Sequence, residues 1–189
     1  ADAKLNMKTS NGIENRDGHL SFDIKQGFLP KLGSAEFIIK KTKLFNKTYT
    51  LEDIINIDLK NKQEFAADIE GSFNIHNRNI ENMDITSYNK YLSLYAEGDY
   101  NIQTQYADLQ FFGKYDKKEI SKVKIFFIPL SVILKAVLRP EKSRSRYESR
   151  LDKVPKLPVC DKKDIKFFRI KIKGNPSEND LKTELKSII

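Results

Sequence analysis

Between Gly71 and Tyr115 apolar and polar residues alternate with a period of two. Phe73 and Ile75 alternate with Ser72, Asn74 and His76; Met83 and Ile85 with Asp84 and Thr86; Leu92, Leu94 and Ala96 with Tyr91, Ser93 and Tyr95; Leu109 and Phe111 with Gln110. Successive side chains of an extended strand point to opposite faces, so each segment predicts a strand with one apolar and one wetter face. Polar and glycine-containing clusters at 77–79, 87–90, 97–99 and 103–105 predict the turns between them. Four or five short strands of this kind make an antiparallel β-meander, and what covers its apolar face becomes the functional question.

The flanking sequence extends the pattern. Residues 3–8 and 20–24 predict two more strands, with Asn11-Gly12 and Asp17-Gly18 as turn dipeptides. Ser34 is placed to cap a helix over 34–45, with Phe37, Ile38, Leu44 and Phe45 opposite Lys40, Lys43 and Lys47. Thr50 with Asp53 has the capping-box spacing for a second helix over 51–59. Residues 122–128 predict a strand, and Pro129 then opens a helix through Leu138. Apolar residues surround that helix almost completely, so it is buried or pressed against something greasy. In the last strand Phe168, Ile170 and Ile172 alternate with Arg169, Lys171 and Lys173, giving a wholly cationic wet face. Ser177 with Asp180, followed by Leu181, Leu185 and Ile188, predicts a closing helix. The expected fold is mainly β with a few helices (α+β): a curved antiparallel meander with amphipathic helices packed on one face. It forms a single domain over 1–189, with 139–160 a basic loop or linker inside it.

Charge sharpens this picture. The total is +8, but Lys114 to Gly174 holds nineteen Lys/Arg against seven Asp/Glu, or +12, so the remainder is −4. Lys142, Arg144, Arg146, Arg150, Lys153 and Lys156 are the candidates for an anionic surface. An apolar helix beside them suits lipid headgroups, joining a charge contribution to a burial one. A solvated loop is the plainer reading, and nucleic acid is not expected because no helix-turn-helix, zinc-finger or RNP-type aromatic pattern accompanies the charge. With a single cysteine, Cys160, no intrachain disulfide forms. The opening Ala-Asp-Ala-Lys has no apolar stretch of signal-peptide type, and no run reaches the ~20 residues of a spanning helix.

Candidate chemistry is sparse. His19 and His76 are far apart, without a His or Cys at metal-ligand spacing; both read as ordinary strand histidines. Cys160 has no histidine neighbour and lies beside Asp161, which disfavours a thiolate nucleophile. Glycine-rich phosphate loops, nucleophile elbows and zinc-protease helices do not occur. The expectation is therefore no enzyme, no metal and no cofactor. Doubled rings at Phe111-Phe112, Phe126-Phe127 and Phe167-Phe168 put one ring on each face of a strand, so one of each pair needs cover from a helix, partner or ligand.

Gly18 to Gly27, Leu29-Pro-Lys-Leu-Gly33, the lysine-rich helix, Gly71-Ser-Phe-Asn-Ile75, Leu92-Ser-Leu-Tyr-Ala-Glu-Gly-Asp-Tyr-Asn-Ile102 and Phe167-Phe-Arg-Ile-Lys-Ile-Lys-Gly174 form an ordered set. It resembles the C-terminal region of AsmA-like bacterial envelope proteins, the group that includes TamB and YhdP. The resemblance implies a non-enzymatic, groove-shaped module in the periplasm, anchored to the inner membrane by a segment outside this chain. It also implies a link to phospholipid movement and outer-membrane assembly. Partners would be phospholipid or another acyl-chain lipid, a membrane surface, or an envelope protein. No catalytic residues carry over. On strand parity the lipid-facing candidates are Phe73, Ile75, Ile85, Leu92, Leu94, Ile102, Leu109 and Phe111, with Ile170 and Ile172. The competing reading is that these residues meet the helices at 34–45, 51–59 and 130–138 and close an ordinary core, leaving an interaction or scaffold domain that binds a protein or acidic polymer through its basic segment.

Overall fold

The strands of the meander are Ala67–His76 (β5), Asn79–Tyr88 (β6), Leu92–Asn101 (β7) and Ala107–Asp116 (β8). Before them come Asp2–Thr9 (β1), Arg16–Gly27 (β2) and a two-residue pair, Lys43–Leu44 (β3) with Lys47–Thr48 (β4). The computed structural model describes residues 2–9, 16–27, 43–44, 47–48, 67–122, 124–125, 128–142, 144–157, 162–175 and 182–189. After β8 follow helix Lys117–Lys122 (α1), the short strands Lys124–Ile125 (β9) and Ile128–Pro129 (β10), helix Leu130–Val137 (α2) and strand Arg139–Glu141 (β11). A 3-10 turn at Arg144–Tyr147 leads into helix Glu148–Lys153 (α3), and Ile165–Gly174 (β12) and Lys182–Ile188 (β13) end the chain. Nine strands form one sheet in the order β1-β2-β5-β6-β7-β8-β12-β13-β11, with every pairing antiparallel except β11 with β13. The protein is mainly β, as the alternation predicts.

Local chemistry makes the turns. Asn77 and Arg78, both at positive φ (47° and 65°), form the two-residue link between β5 and β6, the mirror-type turn whose twist matches a hairpin. Asn89 closes the next one: its Oδ1 accepts from the backbone N–H of Tyr91 (2.8 Å) and Leu92 (2.9 Å). Within β6 the register shifts by one residue around Asn82, which takes φ 52°. This bulge keeps Ile80 on the same face as Met83 and Ile85, which uninterrupted alternation would not do.

Several expectations need correction. Residues 97–99 are not a turn: β7 runs through them, and Gly98 lies where β8 passes so close that a Cβ would sit 2.2 Å from the Asp108 carbonyl oxygen. Glycine is there for close approach and for its φ of +133°. Residues 122–128 are not one strand, because Asp116 caps α1 by accepting from the N–H of Lys118 (2.7 Å) and Glu119 (3.2 Å). Only the two-residue β9 and β10 remain before α2.

The closing helix is instead strand β13. Leu185 and Ile188 have helical spacing, but as strand residues they serve opposite faces, and both faces are covered there. Leu44 pairs in β3 rather than ending a helix. The rest of the helices expected over 34–45 and 51–59 lies outside the described residues, as do Cys160, Phe126, Phe127, Ser177, Asp180 and Leu181. The stretch expected as a basic loop folds into β11, the 3-10 turn and α3, so helices pack on both faces of the sheet rather than one.

Candidate functional site

Cross-strand register assigns each side chain to a face. One face gathers Phe22, Phe73, Ile75, Ile80, Met83, Ile85, Leu92, Leu94, Ala96, Leu109, Phe111, Ile170, Ile172 and Leu185, and it is apolar across strands β2 to β13. At one end α1 and α2 cover it: Ile120 and Leu138 are buried with Tyr91, Tyr115 and Phe168, and Leu92, Leu94, Leu134, Ile170 and Leu185 pack around them. Burial pushes the Tyr115 phenol above its ordinary pKa. Away from that end Phe73, Ile75, Ile85, Leu109 and Phe111 remain partly exposed. Phe22 and Phe73 are ring neighbours there, with centroids 6.4 Å apart.

The other face is polar, yet it carries the most deeply buried rings among the described residues. Tyr95 and Phe112 are each 1% exposed, lying beneath Tyr147, Leu151 and Val154 from the 3-10 turn and α3, with Ile188 and Phe167 at the side. The Phe112 ring is 5.6 Å from that of Tyr147 and 6.4 Å from that of Tyr95. Ion pairs hold the roof. Lys153 Nζ donates to Asp84 Oδ2 and to the Tyr95 hydroxyl, both at 2.8 Å, and Arg150 Nε donates to Glu97 Oε1 at 3.1 Å. The hydrogen bond to Asp84, followed by that to Tyr95, holds the Lys153 ammonium well above the usual lysine range. Desolvation raises the Tyr95 phenol despite the lysine beside it. Lys114 Nζ donates to the Val154 carbonyl at 2.9 Å.

Nine of the ten predicted lining positions therefore share the apolar face. Ile102 does not: it sits in the turn after β7 and is 47% exposed, because β7 runs on to Asn101 and the chain reverses immediately after it. Compared with protein-family models, curated proteins and solved structures, the chain matches none. Its own geometry carries the functional argument.

The six cationic candidates divide. Arg150 and Lys153 are committed to carboxylates of the sheet. Arg144 lies 4.6 Å over the Phe167 ring and Arg146 5.8 Å over Tyr147, while Lys142 and Lys156 are exposed. His19 and His76 lie on the polar face beside Asn74 (2.8 Å) and Asp17 (2.6 Å). No group of three or more His, Cys, Asp or Glu suited to a metal ion occurs among the described residues. No helix among them is long and apolar enough to cross a membrane.

Sequence reasoning missed Ile80 on the apolar face, since the Asn82 bulge resets the parity. It also missed the roof. Its signal was present in Tyr147, Leu151, Val154 and Leu157, apolar at four- and three-residue steps through an otherwise charged segment and all buried.

Proposed function

We propose that the chain is a non-enzymatic, β-rich cell-envelope module that binds or guides phospholipid acyl chains along the apolar face of its sheet, in support of outer-membrane lipid homeostasis or assembly. The carrying observation is the gathering of nine predicted apolar positions on one face, with Phe73, Ile75, Ile85, Leu109 and Phe111 only partly buried. Covering such a surface with a hydrocarbon chain gains about 0.8 kcal/mol per methylene removed from water. The resemblance of its strand and glycine order to AsmA-like proteins supports the same reading, and with it a periplasmic location and an anchoring segment outside this chain.

A fluorescent fatty acid tests it. The folded protein takes up the probe saturably, Leu109→Asp abolishes uptake, and Leu94→Asp weakens it. Ile102→Asp, in the turn and off the face, leaves uptake intact. A folded protein that takes up no probe, or one equally active with Leu109→Asp, overturns the reading. The chain would then be a closed-core interaction domain.

A further inference from the structure

We propose a second site, on the opposite face of the sheet: a cleft on β12 and β13 that binds a phosphate-class anion. The cleft is about 450 Å³, and Arg146, Arg169, Lys171, Lys173, Lys182 and Lys186 line it together with Tyr147 and only two carboxylates, Glu141 and Glu184.

Register shows why this charge is unusual. Lys173 stands directly opposite Lys182, and Arg169 directly opposite Lys186, with Lys171 opposite Glu184 between them. Like charges directly opposite in an antiparallel pair are destabilising, and here two such pairs occur on one face of one ladder. The carboxylates nearby answer one member of each pair, Arg169 and Lys173, and leave Lys186 and Lys182 without a counter-charge among the described residues. Glu184 and Glu141 both accept from Arg169 Nη2, at 3.1 and 3.4 Å, and Glu141 also accepts from the Tyr147 hydroxyl at 3.2 Å. Asp108, from β8, pairs with Lys173 at 2.8 Å and lies 3.8 Å from Lys171. Lys182 and Lys186 form no ion pair among the described residues.

The floor of the cleft is built rather than incidental. The Arg169 side chain is 8% exposed, its guanidinium lies 5.2 Å from the Tyr147 ring centroid, and its Nε has no hydrogen-bond partner. A buried, always-charged group thus underlies a rim of ammonium donors. A phosphate group fits this arrangement because its several oxygens accept from several ammonium groups at once and its double charge offsets Lys182 and Lys186, the cations left without a carboxylate. A headgroup phosphomonoester and a soluble phosphate ester present the same chemistry.

Calorimetric titration of the whole chain with inorganic pyrophosphate at low ionic strength is the first arm. Binding is saturable, and Lys182→Gln with Lys186→Gln weakens it about tenfold or more, the loss expected for charge-assisted hydrogen bonds. Lys117→Gln with Lys156→Gln removes the same charge outside the cleft and changes affinity less than about twofold. Without ligand, the cleft double variant melts higher than the parent, because two like-charge contacts are gone. Flotation with phosphatidic acid vesicles, set against phosphatidylcholine vesicles, is the second arm. Flotation lost in the cleft variant assigns the site to a lipid headgroup; pyrophosphate binding without flotation assigns it to a soluble phosphate ester. No saturable pyrophosphate binding, or equal weakening by both double variants, overturns the proposal.

Discussion

Phe111 and Phe112 are neighbours in one strand with opposite environments. Phe112, on the polar face, is 1% exposed beneath Tyr147 and Leu151, whereas Phe111, on the apolar face, stays partly exposed. Alternation alone would bury the first ring and wet the second, and the molecule does the reverse. The difference teaches that a face is defined by what covers it. A short, charged segment closes part of the polar face by setting a few apolar residues over two rings and fixing its own cations to the sheet's carboxylates. The wider apolar face receives α1 and α2 at one end only, among the described residues.

The largest effect expected comes from that pair of rings. Phe112→Ala leaves a cavity beneath the roof and costs about 3–5 kcal/mol, while Phe111→Ala costs about half as much or less because its ring is already partly in water. Denaturant unfolding of both variants measures the gap, and equal costs would mean that the apolar face is as closed as the roofed one. Next comes Leu151→Ala, expected to cost about 2–3 kcal/mol by loosening α3 from the sheet. Faster proteolysis at 144–157 should accompany it, with the central strands intact.

Lys153→Met is the smallest and the most informative about pH. Both the lysine and Asp84 are half exposed, so the loss is about 1 kcal/mol. The Lys153 pKa is raised in the fold, so its contribution is fully present below the ordinary lysine value and is lost only as pH rises through the raised one. The stability gap between parent and variant should therefore stay constant through neutral and mildly alkaline pH and close only in strong alkali. A gap that closes near neutrality would assign the effect to another group.

Much of the sheet was legible because a half-buried strand must alternate, and β5 to β8 do. Residues that break alternation for a local reason were not. Gly98 reads as a turn because glycine usually marks one, but here it admits the close passage of β8. Asn82 hides a bulge that only pairing reveals. Leu185 and Ile188 read as helical because a strand covered on both faces also places apolar residues at odd separations. The roof escaped because α3 is six residues long and its charged face dominates the composition, although the doubled phenylalanines already required a cover. The candidate lining was legible by parity at nine positions and failed at Ile102, where the strand had ended.

Native mass spectrometry with lipid extraction on the purified 189-residue chain tests the central claim most directly, since it asks whether apolar cargo travels with the protein. Co-purifying phospholipid, absent from a Leu109→Asp preparation that keeps its fold, is the predicted result. A folded, monodisperse protein free of lipid would contradict the account.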